Sequence, residues 1–242
     1  MRLAHLAALL TLAAAPPPPS ALPGVGDYDT RHRVDPHMPP WSEVARLQIP
    51  GIGRCTAVLI GPRTALTAAH CLYGRRLGHF VAPESVHVLA GYGFGAFARH
   101  TVATGYRIGA GYDPSRPQET LGADAAVLTL ADPLTTGGLA LGTNAMTGET
   151  IAVGGYNQDR SEIMEADMNC RLTGRAADAS ARPLLRHDCT ATRGTSGAPV
   201  LEESAKDVWR VIGINVAGFD GQIGGLSVPV ETLRQLLQSA AR

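Results

Sequence analysis

Three short stretches carry side chains that together could make a hydrolytic centre. Gly194-Thr195-Ser196-Gly197 sets a serine between glycines, and Leu66-Thr67-Ala68-Ala69-His70-Cys71 ends an apolar run in a histidine. Between them in the chain, Asp124 precedes Ala125-Ala126-Val127-Leu128-Thr129-Leu130. A serine hydroxyl is a poor nucleophile until a neighbouring base takes its proton. Imidazole, whose pKa lies near neutrality, suits that task. It needs a buried carboxylate to fix its tautomer and stabilise its charged form. The oxyanion formed at the attacked carbonyl needs backbone N–H donors, which a glycine-rich turn presents without side-chain obstruction. Here those donors are the amides of Gly194 and Ser196. Taken singly, each stretch also has an ordinary reading as a turn, a core histidine or a strand-start aspartate.

The elements around these residues read as β-structure. The chain has 242 residues, 45% of them hydrophobic and only 17% charged, with 28 Gly and 17 Pro. That is the composition of a globular chain with a substantial core. Formal net charge is zero and no Lys/Arg block stands out, so no nucleic-acid partner is expected. From Glu43 onward short apolar segments recur between turn signals: EVARLQI, CTAVLI, TALTAA, VHVLAGY and AAVLTL, then TIAVGGY, EIMEADMNCRL, APVLEE, VWRVIGINVAG and GGLSVPV. Alternation and β-branched residues mark them as strands of an all-β barrel or sandwich. A strand after Ser196 also argues against a strand–turn–helix nucleophile elbow. Only the terminus looks helical, with Val230, Leu233, Leu236 and Leu237 on one face. Residues 137–148, poor in charge and rich in Gly, read as a connector between two β-lobes, and no internal repeat is visible in the letters.

The N-terminus reads as an export signal, residues 1–21 with an approximate end. Met1-Arg2 is positive, Leu3 to Ala14 is almost wholly apolar, and small residues precede four prolines. The apolar run falls short of the roughly 20 residues of a spanning helix, so no stable membrane insertion is expected. Cleavage is expected after Ala13 or Ala21, and the protein is expected in the periplasm or outside the cell. Residues 22–40 read as a pro-segment or extended lead-in. Export favours disulfides among Cys55, Cys71, Cys170 and Cys189. Four cysteines allow three pairings, of which the local one is simplest. No CxxC or HExxH spacing points to a metal, and no cofactor is expected.

The motifs TAAHC (Thr67–Cys71), DAAVLTL (Asp124–Leu130) and GTSGAP (Gly194–Pro199), in that order, resemble the chymotrypsin-like serine peptidases. The resemblance runs from about Trp41 to the terminal helix and leans toward the bacterial secreted branch that includes the glutamyl endopeptidases. It implies two six-stranded antiparallel β-barrels with the active site between them, the first at about 41–136 and the second at about 148–228, followed by a helix at about 229–241. It further implies Ser196 as nucleophile, His70 as base, Asp124 as its orienting carboxylate, Gly194 and Ser196 as the oxyanion hole, and Cys55–Cys71 and Cys170–Cys189 bridges. The implied substrates are proteins or peptides, acted on by a monomer. A binding module on the same fold, or an esterase using the same residues, are the alternatives.

Departures from the family pattern matter. Thr195 stands where animal digestive members have an aspartate that pairs with a freed N-terminal amine, so activation by that route is not expected; processing near Arg33-Val34 is another route. The implied substrate pocket is Thr190, Asn215 and Gly218. Thr190, six residues before Ser196, is neutral, so Arg/Lys specificity is not expected. Asn215 stands where glutamyl relatives have a histidine, leaving Thr190 and Asn215 to hydrogen-bond a polar or acidic side chain only weakly. Val216 replaces a serine that in many relatives bonds the catalytic aspartate, so Asp124 should receive one hydrogen bond fewer.

Overall fold

A computed structural model describes residues 22–143 and 146–238; the expected export signal and the end of the expected helix lie outside the described residues. The first six strands are β1 (Val44–Ile49), β2 (Gly53–Gly61), β3 (Thr64–Thr67), β4 (His87–Ala90), β5 (Arg99–Ile108) and β6 (Ala126–Leu130). They pair in the order β1-β2-β3-β6-β5-β4, and β4 returns to β1 to close a barrel. The next six are β7 (Thr150–Gly155), β8 (Glu165–Ala177), β9 (Pro183–His187), β10 (Pro199–Ala205), β11 (Val208–Gly218) and β12 (Gly225–Pro229). They run β7-β8-β9-β12-β11-β10, and β10 pairs back with β7. All pairs within both barrels are antiparallel, and closure leaves no unpaired edge within either ring. The expected all-β architecture of two six-stranded barrels is the one found.

Runs of apolar, β-favouring residues account for the central strands. In β6 the Thr129 side chain faces solvent while Val127, Leu128 and Leu130 are buried. In β1 the buried residues Val44, Leu47 and Ile49 join Ala57, Val58 and Leu59 of β2 in the first core. Ile151, Val153, Leu172, Val200 and Ile212 build a core in the second barrel. Helix α1 (Val230–Gln238) lays Val230, Leu233 and Leu236 inward, with Leu237 only partly buried. Two strands were not legible in the sequence. β5 exposes Arg99, His100 and Thr104, leaves most of its other residues half-buried and carries Gly105 mid-strand, which blurs its period. β9 has only five residues, three of them buried.

The connector is stitched to both barrels: Leu139 N–H donates to Leu59 C=O, and Ala140–Leu141 pair in parallel with Arg210–Val211 of β11. The lead-in is docked as well. His32–Arg33 pair with Glu165–Ala166 at the start of β8, and Val34 N–H donates to Met164 C=O. The Arg33–Val34 bond is therefore held in β-pairing, which must open before a processing enzyme could cut there. The buried Arg31 guanidinium bonds Asp29 and Asp159, while Arg160 bonds Asp29 and Glu165. These are polar and backbone contacts, so no apolar periodicity announced them.

Candidate active site

His70 sits on a 3-10 turn, Ala69–Leu72, directly after β3, and the Cys55–Cys71 disulfide ties that turn to β2. Asp124 lies at the end of another 3-10 turn, Leu121–Ala123, just before β6. Because β3 and β6 are neighbours, the two turns meet at one end of the first barrel. Asp124 Oδ2 lies 2.6 Å from His70 Nδ1, and its Oδ1 accepts the His70 backbone N–H at 2.8 Å. The carboxylate, 1% exposed, thus fixes both the ring and the backbone that carries it. Among the described residues it has no donor outside His70, in keeping with a valine at position 216. Burial opposes a charge on His70, but the Asp124 charge and hydrogen bond outweigh it, with Arg75 opposing, and the pKa ends above the ordinary histidine value.

Ser196 reaches the same place from the second barrel. Both Ser196 and His70 line a cleft of about 610 Å³, together with Gly194, Arg193 and Tyr156. A second hollow of about 590 Å³, bordered by Phe94 and Phe97, holds none of the residues expected in the catalytic centre or substrate pocket.

The serine loop is clamped onto the first barrel by Thr56 of β2. Thr56 N–H donates to Ser196 C=O at 2.9 Å, and its hydroxyl donates to Gly194 C=O at 2.9 Å. Gln158 N–H takes the Arg193 C=O at 2.6 Å. With these carbonyls tied back, the N–H groups of Gly194 and Ser196 have no protein acceptor among the described residues. Glycine is required twice in this loop. Gly194 has φ +94° and a Cβ there would lie 2.2 Å from Tyr156 C=O; Gly197 has φ +83° and a Cβ would lie 2.2 Å from Thr56 C=O. Thr56 escaped the sequence reading, although its place next to Cys55 was a usable signal.

The side-chain donors of the sequence-predicted pocket residues Thr190 and Asn215 are committed within the protein. Asn215 Nδ2 faces Thr195 at 3.3 Å to its carbonyl, and Asn215 Oδ1 lies 3.1 Å from Nε2 of the buried His187. Thr30 Oγ1 lies 2.6 Å from both Asp167 Oδ2 and Thr190 Oγ1. Its single proton goes to the carboxylate, so the Thr190 proton goes to Thr30. Asp167 also accepts Thr190 N–H at 2.9 Å. Gly24 of the lead-in bridges the segments that carry Thr190 and Gly218: its N–H donates to Phe219 C=O, its C=O accepts Ala191 N–H, and it packs against Gly218. Thr195, in the position of the missing aspartate, is buried and donates its hydroxyl to Thr192 C=O.

Cysteines pair as Cys55–Cys71 and Cys170–Cys189. The one trio of potential metal ligands among the described residues is Cys55, Cys71 and His70, and the bond between its two sulfurs removes both thiolates. No helix among the described residues is long and apolar enough to cross a membrane.

A family model described as a trypsin-like peptidase domain matches residues 55–214. The glutamyl endopeptidase of Bacillus licheniformis is 29% identical over 163 residues, covering 64% of this chain and 47% of that protein; the chain thus spans about half of its relative's length. A solved structure of a Glu endopeptidase in complex with MPD superposes with a TM-score of 0.74 at 21% identity, covering 90% of this chain and 100% of that one. The Vibrio cholerae VesB protease superposes with a TM-score of 0.68 at 19% identity, covering 88% and 67%. Those two likenesses bear on the fold, whereas the family model takes in both the His70 turn and the Ser196 loop, and on that match the chain belongs to the trypsin-like peptidase family.

Proposed function

We propose that this protein is a secreted serine endopeptidase that cuts peptide bonds through an acyl-enzyme. Ser196 Oγ attacks the scissile carbonyl while His70 Nε2 takes its proton. Asp124 holds the Nδ1–H tautomer and stabilises the imidazolium. The oxyanion settles against the N–H groups of Gly194 and Ser196, and His70 then protonates the departing amine. Water repeats the sequence on the ester, with His70 again as base. No step calls on a metal or cofactor. The observation that carries this reading is the His70–Asp124 pair facing a serine loop whose two amides are left without protein acceptors. Disulfides and the signal-like N-terminus support export.

The pocket favours an uncharged side chain in this reading. Thr190, Asn215 and Gly218 carry no charge, His187 is held neutral by burial at neutral pH, and the carboxylate bonded to Thr190 is that of Asp167. An acidic side chain finds no cation among them. Of the two readings of residues 22–40, the docking of Gly24, Thr30 and Arg31 supports the extended lead-in.

Purified protein should react with a fluorophosphonate probe, and the Ser196→Ala variant should not. Correctly folded wild-type protein that fails to label would leave the binding-module alternative standing.

A further inference from the structure

The chain is formally neutral, yet the cleft that holds His70 and Ser196 is bordered by Arg54, Arg75, Arg76 and Arg193 and by no Asp or Glu. Arg54 is partly offset, its Nη1 lying 3.9 Å from Glu162 Oε1. Arg75, Arg76 and Arg193 are exposed and make no ion pair or side-chain hydrogen bond among the described residues. Two of them follow the His70 turn in the first barrel and one precedes the Ser196 loop in the second, so the cations face each other across the groove. Thr190, Asn215 and Gly218 line none of this groove. It is thus separate from the pocket read for the acyl-side residue, and a substrate bound across Ser196 has its leaving half on the side away from that pocket.

We propose that this arginine-lined half of the cleft is a leaving-group subsite for acidic peptide segments, selecting Asp or Glu in the first few positions after the scissile bond. The proposal rests on the serine peptidase reading above. A guanidinium offers a planar fork of donors that matches a carboxylate. Single exposed ion pairs are weak and screened by salt. Three unpaired cations around one groove act together, and the focused field also steers an acidic chain inward.

The test uses three quenched fluorescent peptides with one common acyl half and leaving halves that are acidic, neutral or lysine-rich. At low salt the expected order of kcat/KM is acidic, then neutral, then lysine-rich, with acidic over neutral about tenfold. That ratio should fall toward one at roughly 0.5 M salt, where the screening length is only a few ångströms. The leaving half departs on acylation, so the rate of deacylation should be the same for all three, which separates this subsite from one on the acyl side. In the double variant Arg75→Glu/Arg76→Glu the acidic-to-neutral ratio should drop below one; taking a ratio within each enzyme cancels any effect of Arg75 on His70. Labelled, active enzyme with an acidic-to-neutral ratio near one would overturn the proposal and leave the peptidase reading intact. A ratio unchanged in the double variant would overturn the assignment to this groove. Failure of wild-type protein to label or cleave would remove both readings together.

Discussion

The two barrels have one topology and different contents. Their strand orders, β1-β2-β3-β6-β5-β4 and β7-β8-β9-β12-β11-β10, are the same path traced twice. The disulfides repeat too: Cys55 lies in the second strand of its barrel and Cys71 just after the third, while Cys170 and Cys189 hold the corresponding places. In both barrels the connection from third to fourth strand reaches the cleft, carrying His70 in one and Ser196 in the other. The first barrel buries Thr56, Thr67, Thr101 and Asp124 among its apolar side chains and brings His70 and Asp124 together at one end. The second buries Asp167, His187, Thr190, Thr192, Thr195, Asn215 and Ser227. In the proposed reading one topology serves twice, once as a mount for proton transfer and once as a receptacle for substrate, and the contrast lies in side chains rather than backbone.

The strongest way to break this division of labour is to remove one reacting group from each barrel. Ser196→Ala should cost on the order of 10⁶ in kcat, by analogy with other triad knockouts. Asp124→Asn, which keeps the shape and loses the charge that sets the His70 tautomer, should cost on the order of 10⁴. Steady-state kinetics on a cleaved peptide measures both. Losses below about tenfold in either variant would mean that the two barrels do not share one reaction.

How far the sequence announced this arrangement depends on the range of the interactions. His70, Asp124 and Ser196 each sit in a local motif whose letters encode the turn, so they were readable. Barrel closure depends on pairings such as β4 with β1 and β10 with β7, which no local pattern records; it entered through family resemblance. The duplicated topology left no repeat in the letters, because barrel strands need only alternation, which many sequences satisfy. Thr190 and Asn215 were named from family alignment alone, because their hydrogen bonds to Thr30, Thr195 and His187 join parts of the chain up to 160 residues apart. The arginine groove was invisible for the same reason: residues 54, 75–76 and 193 form no block in the chain.

His70 and His187 sharpen the contrast at the next scale of energy, because they are shifted in opposite senses. Burial holds His187 down at about 4, against smaller opposing effects of Asn215, Asp188 and Asp167. Unfolded, it would titrate near 6.5. Its contribution to stability is therefore present above about pH 6.5 and lost as pH falls toward 4, roughly 3 kcal/mol in all. His70 is raised, so its contribution is full below about 6.5 and lost as pH rises through the folded value. His187→Gln keeps a donor for Asn215 Oδ1 and removes the titration. Chemical denaturation at neutral pH and near pH 4 should show the wild type losing roughly 3 kcal/mol more than the variant. Parallel losses would place the acid sensitivity elsewhere.

The disulfides offer a paired experiment. Their sequence separations, 16 and 19, are nearly equal, so replacing either pair by alanines should cost about the same, roughly 3 kcal/mol. Activity should separate them. Loss of Cys55–Cys71 frees the turn that aims His70 and should lower kcat, whereas loss of Cys170–Cys189 loosens the strand end beside Thr190 and should raise KM. Equal effects on both constants would deny the two barrels separate roles.

The smallest effect lies in the pH profile. Only neutral imidazole can accept the Ser196 proton, so activity falls as pH drops through the His70 pKa. Because the Asp124 charge and hydrogen bond overcome the effect of burial, that limb of kcat/KM should lie on the alkaline side of about 6.5. Arg75 pulls in the other direction. Arg75→Gln should therefore move the limb further toward alkaline pH, most clearly at low ionic strength, where the cation is least screened. A neutral peptide substrate keeps the leaving-group subsite out of the measurement. A limb that stays put in this variant would mean that the arginine cluster and the catalytic histidine do not feel each other, and that the groove's charge is confined to holding substrate.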